Sequence, residues 1–243
     1  YIQKIGRIMI TGYIIRIEGH GQSEELSRIC RDSWIKHNIN WPVRYFDAIT
    51  PDQNESIMTR NLIDWEYPWD GEHLDMGSGL MKRAYPTKNP GARIACALSH
   101  YTLWKQCAEE NQPMVILEHD AIFKGKIDRG LLETKYDIIG INDPRRATRL
   151  AQKYYEEIDM IRKTTNKKVM RAPSIDNFDV PQGLAGNSAY IIKPAGAKTM
   201  LALVKEHGLW PNDALMCRQL VKNLGVSTTF YTTIQVHTST TTL

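Results

Sequence analysis

The sequence contains no run of about 18 consecutive apolar residues, the length that a membrane-spanning helix requires. Its first residues, 1–7, lack the apolar core and small-residue cleavage site of a secretory signal peptide. The 243 residues include only four cysteines, and these form no CxxC pair and no zinc-ligand spacing; they are Cys30, Cys96, Cys107 and Cys217. These absences favour a cytoplasmic protein without a transmembrane segment or a disulfide framework.

A strong excess of charge of one sign is also missing. The chain has 31 basic and 27 acidic residues, and its formal net charge is +4. A dedicated nucleic-acid-binding protein usually has a stronger and more concentrated basic excess, so no nucleic-acid partner is predicted. The excess lies in the segment 143–171, which is either a solvated face or a mobile basic insertion. In a functional interpretation the segment would instead cover a phosphate-bearing ligand, and its basic residues would also suit contact with an anionic membrane surface.

Segments typical of strands alternate with segments of helical periodicity along most of the chain. Ser23 is expected to cap the first helix. Irregular structure with short helical pieces is predicted for 52–92. Strands are predicted at 7–17, 43–49, 114–117, 136–141, 188–192 and 226–235, and helices at 24–37, 92–111, 195–207 and 212–223. This order predicts a single α/β domain over 1–243, with a mostly parallel central sheet flanked by helices.

Two carboxylates follow the apolar run of 114–117, in the pattern Glu118-His119-Asp120. Ligands of α/β sheets bind beyond the carboxyl ends of the strands. Residues i and i+2 of an extended strand share a face, so Glu118 and Asp120 would suit one Mg²⁺ or Mn²⁺ ion. Acidic residues at strand ends are also ordinary loop residues, and the pattern alone does not decide between these two interpretations.

The segment Gly91–Lys105 resembles the "G-x-x-G-C-x-x-S-H-x-x-L-W" helix of the family 25 glycosyltransferases, which include bacterial lipopolysaccharide and lipooligosaccharide glycosyltransferases. Val115–Ala121 is similar to the family's "I-L-E-D-D-A", with His119 in place of the middle Asp. The segment Gly183–Lys198 and Asn212-Asp213 resemble later family segments. The resemblance implies a Rossmann-like nucleotide-sugar transferase fold of the A type. It also implies an inverting, metal-assisted transfer, usually from a UDP-sugar with galactose commonest, to a glycan or other surface acceptor.

The resemblance also implies roles for individual residues. Asp213 would be the catalytic base, although an aspartate at a helix start is also an ordinary N-cap. The nucleotide would bind near the end of the first strand and the helix before the acidic motif, at Ile17, Glu18, Gly19, Ser99, His100, Glu118 and His119. The metal ligands would be Asp120, Glu118 and the late His237. Apart from the resemblance, Gln182, Gly183 and Gly186 would form a backbone-lined acceptor wall, because glycine permits close approach, and Asn187 would hydrogen-bond a sugar hydroxyl. Sugar faces would stack on tryptophans, unless these are core residues: Trp65, Trp69 and Trp210.

Three other functions are compatible with parts of the sequence. The same carboxylates would serve a metal-dependent phosphoester or pyrophosphate hydrolase, but the usual additional ligand clusters are missing. His119 in the acidic motif would fit a transferase fold that has lost catalysis and acts as a binding or scaffold protein. The basic segment 143–171 would serve nucleic-acid binding, which would then depend steeply on salt.

Overall fold

The computed structural model describes residues 10–85, 87–146 and 150–235. Its strands are β1 (Thr11–Arg16), β2 (Val43–Asp47), β3 (Glu72–Asp75), β4 (Leu80–Arg83), β5 (Met114–Glu118), β6 (Ala121–Phe123), β7 (Ile138–Gly140), β8 (Val169–Arg171), β9 (Ala189–Ile192), β10 (Leu224–Ser227) and β11 (Thr232–Ile234). Its α-helices are α1 (Gly21–Asn38), α2 (Asn54–Asn61), α3 (Pro90–Glu110), α4 (Ala151–Thr164), α5 (Pro194–His207) and α6 (Asn212–Leu215).

Seven strands form the central sheet in the order β2-β1-β5-β9-β7-β10-β8. Strands β9 and β8 pair antiparallel with their neighbours, and the other five strands run in one direction. The antiparallel ribbons β3–β4 and β6–β11 lie outside this sheet. The predicted α/β class, with a mainly parallel sheet flanked by helices, is confirmed.

Both faces of the sheet are covered, and β5 shows this most clearly. Met114 and Ile116 pack into one apolar cluster, which includes residues of α3 and α5 such as Trp104. Val115 and Leu117 point to the other side, where they join Trp34 of α1. Alternate residues of β5 are therefore buried on opposite faces, as expected for a strand with a continuous apolar sequence. None of the helices among the described residues is both long and apolar enough to cross a bilayer.

The basic segment is largely integrated into the fold. The described part contributes α4 and the edge strand β8, and Tyr154 and Ile158 of α4 are buried. Several of its charges are paired: Arg145 with Asp143, Arg162 and Lys163 with Asp159, and Lys168 with Asp128.

Some local predictions were wrong. The side chain of His20 caps α1 by accepting a hydrogen bond from the Ser23 N–H, whereas Ser23 itself is completely buried. Pro211, not Asp213, is the N-cap residue of α6, and this helix ends at Leu215. The segment 226–235 forms two strands in different sheets rather than one strand.

Candidate active site

A cavity of about 730 Å³ opens at the carboxyl ends of β1 and β5. Its walls come from the end of β1, the loop after β2, the first half of α3, the turn after β5, the loop 173–188 and the start of α6. Eleven of the predicted site residues line it: Ile17, Ser99, His100, Glu118, His119, Asp120, Gln182, Gly183, Gly186, Asn187 and Asp213. The fold thus brings the motif Glu118–Asp120 and the distant Asp213 to one cavity.

Two of the predicted residues are not part of this lining. Glu18 and Gly19 lie in the exposed turn after β1, where the Gly19 N–H donates to Glu24 Oε1. His237 lies outside the described residues. Among the tryptophans, Trp65 and Trp69 stack on each other with ring centroids 4.9 Å apart, away from the cavity. Trp210 is completely buried, and its indole N–H donates to the His207 carbonyl, so it presents no face to a sugar.

The two carboxylates of the acidic motif do not share a strand face, contrary to the expectation from strand geometry. Strand β5 ends at Glu118, and His119 and Asp120 form a turn. The side chains of both acids still line the cavity. A turn, and not the i, i+2 alternation of a strand, thus leaves both residues at the cavity.

Glu118 belongs to a polar network that reaches into the core. Its Oε1 lies 3.4 Å from His100 Nε2, and its Oε2 accepts a 3.4 Å hydrogen bond from Ser188 Oγ. Burial alone would raise the pKa of Glu118. The His100 ring 3.4 Å away, the charge of His119 and the Ser188 hydroxyl act in the other direction, and the net pKa is lowered. Glu118 is therefore held as a carboxylate.

The ring of His100 is held in place through Nδ1, the nitrogen that does not face Glu118. The Tyr190 hydroxyl lies 2.9 Å from His100 Nδ1 and accepts a 2.8 Å hydrogen bond from Trp104 Nε1. All three side chains are completely buried. His100 Nε2 consequently faces the cavity side and Glu118, in an orientation fixed by packing and hydrogen bonding.

Asp213 lies in the first turn of α6 and lines the same cavity as the motif. Burial raises its pKa, the charge of Arg93 lowers it, and the charge of Glu118 raises it further, so the net pKa is above the ordinary value. A carboxylate with a raised pKa accepts a proton more readily than an ordinary aspartate. This property suits a general base.

Arg93, which no sequence pattern singled out, lines the same cavity. Its guanidinium lies 5.3 Å from the centroid of the Tyr85 ring, and its Nε is buried without a hydrogen-bond partner. In the sequence Arg93 is one charged residue in the first turn of a predicted helix. Its effect on the pKa of Asp213 depends on the packing of α6 near α3, which the local sequence does not show.

Two polar residues of the predicted acceptor wall, Gln182 and Asn187, differ in their hydrogen bonding. The Gln182 amide accepts from the N–H groups of Ile175 and Asp176 and donates to the carbonyls of Asp176 and Asn177. Its hydrogen-bonding capacity is thus used to shape the loop. Asn187 differs, because its side-chain oxygen and nitrogen are both buried and have no hydrogen-bond partner. A buried polar pair of this kind is expected to bind a ligand or water.

Ser99 and His119 have structural partners of their own. Ser99 Oγ donates to the Ala95 carbonyl and accepts from the Ile49 N–H, so it fixes the cavity wall after β2. His119 Nδ1 lies 2.9 Å from Ser23 Oγ, and the same oxygen accepts a hydrogen bond from the Ile17 N–H. Ser23 therefore links the acidic motif to the end of β1, where Ile17 lines the cavity.

The sequence profile described as "Glycosyltransferase family 25 (LPS biosynthesis protein)" matches residues 24–216. A Haemophilus influenzae protein described as "Putative glycosyltransferase" is 27% identical over 180 residues, which cover 72% of this chain and 51% of the relative. The chain thus spans about half the length of that curated relative. Mouse xyloside xylosyltransferase 1, in its apo crystal structure, aligns with a TM-score of 0.38 and 9% identity over 89% of this chain and 81% of its own.

Proposed function

Because the chain belongs to glycosyltransferase family 25, we propose that it transfers a sugar from a nucleotide-sugar, with a UDP-sugar and galactose as the first choice, to a glycan acceptor. The observation that carries this proposal is the meeting of two kinds of carboxylate in one cavity. Glu118 and Asp120 lie at the end of β5 and in the turn after it, and Asp213 of α6 lines the same cavity. A single-displacement, inverting transfer needs both a stabilised leaving group and a base.

The donor side of the cavity fits a divalent cation such as Mn²⁺ or Mg²⁺. Hard cations in nucleotide sites use one or two carboxylates together with phosphate oxygens of the substrate. Asp120 lines the cavity, and the contacts of Glu118 to His100 and Ser188 are both long, at 3.4 Å. Bound there, the ion would neutralise the diphosphate leaving group. In this proposal the role of Glu118 and Asp120 is to hold the ion.

The acceptor side would be built around Asp213. In the proposed reaction Asp213 takes the proton of the acceptor hydroxyl as its oxygen attacks the anomeric carbon. The bond from that carbon to the diphosphate breaks on the opposite face. Asn187, with its unpaired buried amide, would hydrogen-bond a sugar hydroxyl. Gly183 packs so closely against the Asp213 carbonyl that the loop and α6 form one continuous wall.

The proposal is tested by separating binding from turnover. UDP, GDP and CDP are titrated calorimetrically with and without Mn²⁺, and the preferred donor is then supplied with a panel of glycan acceptors while nucleotide release is measured. Asp213→Asn should reduce turnover by about 10²–10⁴-fold and leave nucleotide binding almost unchanged. Asp179→Asn, an exposed residue outside the cavity, is the matched control. Near-normal turnover of Asp213→Asn would reject the base, and no binding of any nucleotide would reject the transferase.

A further inference from the structure

Three side chains at the inner end of the cavity form a cluster of a different chemical character from the Glu118–Asp120 pair. These are Cys96 and His100 of α3 and Glu118 at the end of β5. Their Sγ, ring-nitrogen and carboxylate-oxygen atoms all lie within 4.8 Å of one another. Cys96 and His100 are four residues apart, so they lie on the same face of α3, one turn apart.

A second observation points to a ligand at this place. His100 is completely buried, and its Nε2 has no hydrogen-bond partner with good geometry, although Glu118 Oε1 is 3.4 Å away. A buried ring nitrogen directed at a thiol and a carboxylate is a costly arrangement without an occupant. All three residues line the cavity, so the cluster is open on one side.

We infer that Cys96, His100 and Glu118 form a binding site for a borderline transition-metal cation of the zinc class. A catalytic zinc site has three protein ligands from Cys, His and carboxylate groups and keeps a fourth position open. A thiolate ligand favours such a cation over Mg²⁺, which prefers oxygen ligands only. The thiolate and the carboxylate together would balance the charge of a divalent ion in this poorly solvated place.

The surroundings of the cluster resemble the outer shell of a metal site. Ligation through Nε2 would place the ring proton of His100 on Nδ1, from which it is donated to Tyr190 Oη. Ser188 Oγ contacts the other oxygen of Glu118. The open coordination position would face the cavity, where water or a phosphate oxygen completes the shell. The inference rests on the proposed function and changes one part of it: Glu118 would hold this transition-metal cation with Cys96 and His100, in place of an Mn²⁺ or Mg²⁺ ion held with Asp120.

Cobalt(II) is the probe, because it replaces zinc and reports its ligands by absorption. Titration of the metal-free full chain with Co²⁺ should produce the intense visible bands of a four-coordinate ion and a near-ultraviolet thiolate-to-cobalt band at one equivalent. One equivalent of Zn²⁺ should abolish both, and a large excess of Mg²⁺ should not. The thiolate band should disappear in Cys96→Ser and persist in Cys107→Ser, a buried cysteine three turns along the same helix.

Two further measurements keep the result interpretable. Circular dichroism and thermal unfolding establish whether each variant is folded. Glu118→Gln, which retains all cysteines, should weaken Co²⁺ binding at least tenfold, and it serves as the test if Cys96→Ser does not fold. Absence of a thiolate band in the unsubstituted chain, or its survival in Cys96→Ser, would overturn the inference. UDP titration of the same preparations separates the two proposals, since nucleotide binding without a thiolate–cobalt band removes only the metal site.

Discussion

Two regions of one cavity shift the pKa values of their carboxylates in opposite directions. Glu118 follows a strand and faces His100 and His119, and its pKa is lowered. Asp213 begins a short helix, where burial outweighs the favourable charge of Arg93, and its pKa is raised. Such a divergence between neighbouring acids commonly separates a group that stays ionised from one that exchanges a proton. The pKa values of the two acids shift in opposite directions because their environments differ, and this difference supports the separate roles proposed for them.

The largest effect is expected from Gly183→Ala, which should damage the Asp213 region alone. An added Cβ would overlap the carbonyl oxygen of Asp213, and backbone cannot move aside as a flexible side chain does. Overpacking of this kind costs about 1–3 kcal/mol of unfolding free energy, and the displaced Asp213 should lose most turnover. Thermal unfolding and turnover are measured beside Gly125→Ala, where a Cβ meets nothing within 4 Å. Equal behaviour of the two variants would refute the close packing.

Next in size is Arg93→Gln, which sharpens the contrast between the two acids. Loss of the positive charge that lowers the pKa of Asp213 should raise this pKa further. A base works only when ionised, so the acid limb of the kcat/KM profile should move to higher pH. At a fixed pH below that limb, kcat/KM should fall about tenfold for each pH unit by which the limb moves. The exposed Arg60→Gln on α2 is the control, and an unmoved limb in Arg93→Gln would break the assignment.

A smaller effect is expected from Asn187→Ala on the acceptor wall. If the unpaired amide binds a sugar hydroxyl, its removal costs about 1 kcal/mol, or roughly fivefold in affinity for UDP-galactose. UDP alone should bind as before. Isothermal titration of both ligands gives the two constants. Parallel weakening of UDP and UDP-galactose would assign Asn187 to the nucleotide rather than to the sugar.

The smallest effect concerns stability, where the two acids should differ in sign. The lowered pKa of Glu118 contributes stability that is present above its ordinary value of 4.5 and is lost as the pH falls through the folded pKa. The raised pKa of Asp213 favours the fold below its ordinary value of 3.8, and this is lost as the pH rises.

At neutral pH, therefore, Glu118→Gln should lower the melting temperature and Asp213→Asn should leave it unchanged or raise it. Shifts of a few degrees are expected, since about 1 kcal/mol moves the midpoint of a chain this size by roughly 2–4 °C. The melting temperatures are measured by scanning calorimetry at pH 7. Destabilisation of equal size in both variants would contradict the opposite environments.

The sequence predicts the elements that carry the site better than the connections between them. Helix α3 and strand β5 have strong local signals, and both lie within two residues of their predicted bounds. The ribbon β3–β4, within 72–83, contradicts the prediction of irregular structure there, which follows from the weak periodicity and the many turn-forming residues of 52–92. Strand geometry placed Glu118 and Asp120 on one face, but the backbone turns after Glu118.

Residues whose role depends on distant neighbours could not be found from local pattern. Arg93 gains its importance from Asp213 of α6, which lies 120 residues later in the chain. Cys96 belongs to no ligand spacing in the sequence, and its place beside both His100 and Glu118 depends on how the end of β5 packs against α3. Gln182 was expected to contact the acceptor, but local loop carbonyls and N–H groups engage its amide.

Direct observation of the two carboxyl groups tests the central claim. Side-chain carboxyl carbons of the ¹³C-labelled protein are followed by NMR over a pH titration, with signals assigned from Glu118→Gln and Asp213→Asn. The account predicts that Glu118 titrates below 4.5 and Asp213 above 3.8, their ordinary values. A Glu118 that titrates above its ordinary value, or an Asp213 that titrates below its own, would contradict it.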